Sequence, residues 1–268
     1  MIIYMFQIFI PSHNRPLTCK FCYDCKELEL PFKIFIYKSQ EENYLKNFRK
    51  NQIIVVPSTV SNLVQKRQYI LNYARKEGYD WFFMIDDDLE KISYRKIKGE
   101  KLKLLSYVNF FNKIYDTIID IDKKYPDHNL AQIGFKNSAF AIKDKPITMN
   151  TEVAGLILFN IKNTSDTDYW NCIGCEDLAY NFEVLLGKKN TMKFNHIIFF
   201  TPNSGTAKGG LEDYYSDGGK QEGIDKLKSK YEEFVKIIDT DKYRVKWGKF
   251  KDSVLEIEYS NAFKVVFD

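Results

Sequence analysis

The chain is poor in long apolar runs. None of its stretches approaches the roughly 18 unbroken apolar residues that a membrane-crossing helix requires. The N-terminus, Met1 to Ile10, is apolar but has neither a basic leading segment nor a small-residue cleavage site. It reads as a first strand and not as a secretory signal. Net charge is also small. The 268 residues carry 40 Lys and Arg against 36 Asp and Glu, leaving +4. That permits a polyanionic partner without demanding one. No internal repeat and no linker divides the chain, so one domain is expected. The five cysteines are an odd number, and with no secretory signal they suit a reducing, cytoplasmic setting. They fall as Cys19, Cys22, Cys25 and as Cys172, Cys175. These Cys-x-x-Cys spacings fit structural zinc, or small hydrophobes on one helix face.

What the chain does have is Trp81-Phe82-Phe83-Met84-Ile85 followed by Asp86-Asp87-Asp88. A run this apolar reads as a strand buried on both faces. If the strand continues, alternation sends Asp86 and Asp88 to one side and Asp87 to the other. Two carboxylates at the end of a buried strand suit Mg2+ or Mn2+. Such strand ends are where open α/β sheets bind ligands. Acids also follow strands simply where the chain meets solvent.

The remaining pattern predicts strands at 7–10, 32–37 and 53–56, a short helix over 17–29, and a helix from Asn62 to Gly78. Residues 90–103 read as a polar connection. Leu104, Val108, Phe111, Tyr115 and Ile118 step as an amphipathic helix. Strands are expected at 130–135, 153–159 and 196–200, and a helix from Glu176. Residues 202–223 read as a loop. A helix carrying Ile224, Leu227, Tyr231, Phe234 and Ile238 follows, then strands at 243–247 and 254–259. The whole is an α/β chain with a mixed, mainly parallel sheet flanked by helices.

Three pieces in order carry a family resemblance. They are a first strand ending Ile-Pro-Ser-His-Asn-Arg-Pro, a helix with Lys66-Arg67, and the strand ending in three acids. A later Glu176-Asp177 at a helix start completes them. The chain resembles nucleotide-sugar glycosyltransferases of the GT-A (Rossmann-like) fold. More narrowly, it resembles phage glycosyltransferases associated with TET-type hydroxylases, which decorate hydroxymethylated pyrimidines in DNA. The resemblance implies a nucleotide-sugar donor, a UDP-sugar first, held by residues 1–125, and an acceptor held by residues 126–268.

It also assigns roles. Asp88 is the principal metal ligand and Asp86 a ribose or metal partner, with Asp87 structural. Pro11, Ser12, His13, Asn14 and Arg15 cradle the nucleotide, and Arg67 pairs with the acids or touches the nucleotide. Lys66 is expected to face solvent. Asp177 leads as the base that takes the acceptor proton in an inverting transfer, with Glu176 second. Acids are also common in a first helical turn, where the dipole lowers their pKa. Gly155 and Trp170 are placed at the acceptor, although such a Trp also fits a core. Lys208, in a glycine-rich segment, could close over the diphosphate; the spacing is not that of a Walker A loop. None of the three histidines lies in that segment, so a third protein ligand for the metal is not assigned.

Basic stretches at 91–103, 188–189 and 242–251 suit a DNA backbone, or a solvated surface. The last interleaves Tyr243, Trp247 and Phe250 with Lys and Arg, which suits an extruded base. Hydroxymethylated DNA is the leading acceptor, reached in the host cytoplasm if the chain is phage-encoded. A polysaccharide or other glycan acceptor, and a non-catalytic nucleotide- or nucleic-acid-binding module, are the alternatives.

Overall fold

A computed structural model describes residues 6–95, 100–139, 145–164, 166–170, 172–202, 214, 217–239 and 242–262. The strands are β1 (Gln7–Pro11), β2 (Phe32–Ile36), β3 (Ile53–Val55), β4 (Trp81–Ile85), β5 (Lys91–Tyr94), β6 (Lys103–Leu105), β7 (Leu130–Asn137), β8 (Ile147–Met149), β9 (Leu156–Asn160), β10 (Asn190–Phe200), β11 (Val235–Asp239) and β12 (Lys242–Val245). The helices are α1 (Lys20–Glu27), α2 (Glu41–Leu45), α3 (Leu63–Glu77), α4 (Tyr107–Lys124), α5 (Glu176–Leu186), α6 (Gly219–Lys230) and α7 (Ser253–Ala262).

The main sheet runs β3-β2-β1-β4-β9-β7-β10-β5-β6. Its first four strands are parallel. β9 enters antiparallel between β4 and β7, and β10 returns parallel to β7. Alternation along the strands divides the core in two. Ile8, Ile10, Phe83 and Ile85 face α1 and α4, packing with Phe21, Phe111, Ile114 and Ile118. Phe9, Phe82 and Met84 face α3 and α5, packing with Ile70, Leu71, Ala74, Tyr180 and Val184.

Helix α3 starts as its sequence dictates. Asn62 accepts from the Gln65 N–H at 2.9 Å, and the Gln65 side chain returns to the Ser61 N–H at 2.7 Å. Gly78 closes it at φ +76°. The start of α3 is thereby held over the C-terminal ends of the parallel strands.

Four expected elements are corrected. Residues 90–103 are not a plain connection: β5 and β6 pair there, with Ile92 and Tyr94 in the core and Lys91 outside. Ser106 caps α4, so Leu104 lies before the helix and is exposed; the buried face is Phe110, Phe111, Ile114, Ile118 and Ile121. Helix α6 already occupies 219–230, and Phe234 and Ile238 fall beyond it. Residues 253–262 are helical and not a strand, because Asp252 accepts from the Leu255 N–H at 2.9 Å and starts a turn. Among the described residues no helix is long and apolar enough to cross a membrane.

Candidate functional site

β4 stops at Ile85, so the three acids are set by a turn and not by strand alternation. The Asp86 N–H donates to the Gly155 carbonyl at 2.9 Å, and the Leu89 N–H donates back to the Asp86 carbonyl at 3.4 Å. The expected sharing of one side by Asp86 and Asp88 therefore does not arise from a pleat. Two arginines serve the three acids. Arg67 Nη2 donates to Asp86 Oδ1 at 2.8 Å. Arg15 Nη1 donates to Asp87 Oδ1 at 2.5 Å and to Asp88 Oδ2 at 3.0 Å.

Asp87 is more than a bystander to the first loop. It is buried, accepts the Ser12 hydroxyl, and anchors Arg15. Ser12 Oγ also meets the hydroxyl of buried Tyr44 at 2.6 Å, and the Arg15 N–H donates to the same hydroxyl at 3.1 Å. Lys66 is buried, which overturns its expected solvent exposure. Its Nζ donates to the Ser12 carbonyl at 2.6 Å and lies 3.8 Å from the Tyr37 ring centre. Burial pushes its pKa down to about 7. Further out, Gln40 Nε2 reaches His13 Nδ1 at 2.9 Å and Asn14 Oδ1 at 2.7 Å, and His13 packs edge-on to Tyr37. Asn14 is exposed at φ +56°. Pro11 ends β1 beneath this loop.

Arg67 joins the strand end to α5. Its Nη2 is 3.7 Å from Asp177 Oδ2, and its Nε is 3.6 Å from Glu176 Oε1. Burial works against its charge, and Asp177 and Asp86 more than offset this, holding its pKa above the ordinary arginine value. Gly155 sits between the same acids. Its N–H faces Asp177 Oδ2 at 3.4 Å. With φ at +71°, a Cβ there would press on Phe199 at 3.3 Å and stand 3.5 Å from Asp86 Oδ2.

Asp177 does not behave as a first-turn acid lowered by the helix dipole. Burial dominates and pushes its carboxyl up to about 7, with Glu176 and Asp86 adding to the rise and Arg67 opposing it. Its Oδ1 is buried with no hydrogen-bond partner. The side chain keeps 13% exposure, so it can be reached. Glu176 is turned to local work: its Oε2 accepts from the Gly174 N–H at 2.8 Å.

Five carboxylates, Asp86, Asp87, Asp88, Glu176 and Asp177, thus share the guanidinium groups of Arg15 and Arg67. Burial and then repulsion from Asp86 and Asp87 raise the Asp88 carboxyl to about 6. The acids outnumber these guanidinium groups five to two, a balance that a bound cation would improve. Among the described residues no three side chains of His, Cys, Asp or Glu gather closely enough to cage a metal ion. Arg67 takes only Oδ1 of Asp86 and Arg15 only Oδ2 of Asp88, which leaves one oxygen on each. Two carboxylates completed by phosphate and water suit Mg2+ or Mn2+, which rarely occupy all-protein cages.

Other expected residues lie elsewhere. Trp170 packs edge-on to Tyr231 at 6.0 Å between ring centres, with Lys230 Nζ 4.8 Å from its ring. Tyr243, Trp247 and Phe250 turn inward onto α5 and α6. All five cysteines are free and buried in apolar clusters, three against α4 and two against α6. Lys208 lies outside the described residues. Sequence reasoning missed Tyr44 and Gln40, and the burial of Lys66. A signal for Lys66 and Arg67 was present: they lie four and three residues before Ile70, in phase with the buried face of α3.

Comparison with known proteins adds the family. No curated protein matches the chain. Among solved structures it is similar to GalNAc-T7 with UDP, GalNAc and Mn2+ at 9% identity and a TM-score of 0.45, covering 74% of this chain and 44% of that one. The chain thus spans less than half of that protein's length. It is similar to mannose-1-phosphate geranyltransferase from Thermus thermophilus at 6% identity and 0.41, covering 72% and 75%. It is similar to UDP-glucose pyrophosphorylase complexed with UDP-glucose at 12% identity and 0.39, covering 84% and 99%. At these scores the likenesses carry no argument about chemistry. The family model is of another weight, since it spans residues 6–210 and so takes in the first-strand loop, the acid turn and the start of α5. The chain belongs to the TET-associated glycosyltransferase family, enzymes of the GT-A fold.

Proposed function

We propose that this glycosyltransferase moves a sugar from a nucleotide-sugar donor, a UDP-sugar first, to the hydroxyl of a hydroxymethylated pyrimidine in DNA, with inversion. The observation that carries the reading is Arg67, buried between the acid turn and Asp177. One guanidinium ties the donor-side acid to the candidate base.

In this reading residues 1–125 hold the donor and 126–268 the acceptor. His13 and Asn14 line the nucleotide cradle over buried Pro11 and Ser12, and Tyr44 and Lys66 hold Ser12 in place from behind. Arg15 keeps Asp88 turned toward the diphosphate. Asp88 and Asp86 would hold a divalent ion, Mn2+ or Mg2+, jointly with that diphosphate. When bound, such an ion offsets the charge that develops on the departing phosphate oxygens. Asp177 takes the proton of the acceptor hydroxyl as its oxygen bonds to the sugar carbon and the bond to the diphosphate breaks. A carboxylate with a pKa near 7 is a more effective base at neutral pH than one near 4. Gly155 keeps the space between the two acids open.

A thermal-shift screen of nucleoside diphosphates and nucleotide sugars, with and without Mn2+, tests the donor half directly. A metal-dependent rise in Tm for one nucleotide, lost in Asp88→Asn, is expected. No stabilisation by any of them counts against it.

A further inference from the structure

We infer that the outward face of the β11–β12 hairpin is a docking surface for a nucleic-acid phosphate backbone, centred on Lys236 and Arg244. This rests on the reading that the acceptor is DNA.

The charge is concentrated there. Residues 235–251 contain six Lys or Arg against two Asp, a net +4 that equals the net charge of all 268 residues. The rest of the chain is neutral in sum. The hairpin also has two unlike faces. Val235, Ile237, Tyr243 and Val245 turn inward onto α5 and α6, together with Trp247 and Phe250. Lys236, Ile238, Lys242, Arg244 and Lys246 stand exposed.

Register places Lys236 directly opposite Arg244. Like charges facing across an antiparallel pair destabilise it. Lys242 has Asp239 at 3.7 Å and Lys249 has Glu233 at 3.1 Å. Among the described residues no carboxylate pairs with Lys236, Arg244 or Lys246. A small two-stranded sheet therefore carries a repulsive pair on its open face. A bound polyanion would relieve that repulsion, and phosphates spaced along a backbone match a row of cations better than a single small anion does.

The face is tied to the candidate base. Phe182, in the middle of α5, packs on Trp247 and Phe250 at 5.7 and 6.1 Å between ring centres. Tyr243 packs in the same apolar cluster as Cys175, the residue before Glu176. A backbone held on this hairpin is therefore positioned relative to the start of α5. The aromatics serve the packing and the cations serve the partner, in place of the base-stacking that the interleaved sequence suggested.

The test is R244E, read by fluorescence anisotropy on a short DNA duplex across a salt series and by thermal melting. The variant places a carboxylate opposite Lys236, so the hairpin should melt no earlier than wild type. DNA affinity at low salt should nevertheless fall on the order of tenfold, and the slope of log K against log salt should flatten by about 1. R244K should keep both within about twofold, since it preserves the phosphate-facing charge. Wild-type affinity and slope in R244E would overturn the surface, as would an affinity loss that tracks a lower Tm. If the wild type itself fails to bind DNA, the acceptor reading fails and the surface with it. If the wild type binds and R244E is unchanged, only the surface fails.

Discussion

Arg67 Nη2 lies 2.8 Å from Asp86 Oδ1, and this contact fastens helix α3 to the end of β4. Removing the cation would strand buried Glu176 and Asp177 beside the partly exposed Asp86. Stranding buried charges in this way costs about 3–5 kcal/mol. Arg67→Ala is therefore expected to lower the urea midpoint strongly. Arg67→Lys should recover little, because a single ammonium can stand in for Nη2 between Asp86 and Asp177 but not also for Nε beside Glu176. Full stability in Arg67→Lys would show that the fork is not what matters.

Asp177→Asn separates chemistry from stability. If Asp177 is the base, transfer should fall by about 10²- to 10⁴-fold. The stability effect has the opposite sign. A carboxyl whose folded pKa is raised to about 7 contributes stability that is present below its ordinary value of 3.8 and is lost as pH rises through 7. Asp177→Asn removes that loss, so its Tm should exceed wild type at about pH 8 and approach wild type at about pH 5. Wild-type transfer should itself climb as pH rises through about 7. A flat pH profile would contradict the assignment.

Lys66→Met tests the anchor under the first loop. The Ser12 carbonyl loses its 2.6 Å donor, so the donor KM should rise while kcat changes less. The pH sign again follows from burial. With its folded pKa lowered to about 7 from 10.5, Lys66 penalises the fold where it is charged, and the penalty fades as pH rises from 7 toward 10.5. Wild type should gain stability across that range, and Lys66→Met should lack this gain. An identical pH dependence in the two proteins would sink the account of Lys66.

Asp87→Asn probes the support beneath Asp88. It weakens the hold on Arg15 and Ser12 while leaving Asp88 itself in place. The expected outcome is a higher metal concentration for half-maximal activity, with partial activity restored by excess Mn2+. Asp88→Asn should not be restored in this way. Equal rescue of both variants would argue that Asp87 and Asp88 share one role.

Much of the scaffold was legible because it rests on local rules. The apolar run of β4, the Asn62 cap and the Gly78 stop each follow from a few adjacent residues. The start of α5 at Glu176 is likewise marked by its acids. The site was legible in its membership but less so in its wiring. Alternation was extended one turn too far, because nothing in Asp-Asp-Asp says that β4 yields to a turn at Ile85. Lys66 was misplaced because a lysine ordinarily keeps its head in water. Here the Ser12 carbonyl and the Tyr37 ring replace that water, and both come from distant segments. Tyr44 was overlooked for the same reason: its partners Ser12 and Arg15 are some 30 residues away in sequence. The β5–β6 hairpin was hidden by its lysines, which mask a buried Ile92 and Tyr94.

The most direct measurement is mass spectrometry of nucleosides from hydroxymethylcytosine DNA incubated with the enzyme, Mn2+ and a panel of nucleotide sugars. The account predicts one donor whose sugar mass appears on the modified base, dependent on metal, with the product lost in Asp177→Asn and Asp88→Asn. No sugar on the base with any donor, or undiminished product from Asp177→Asn, would contradict it.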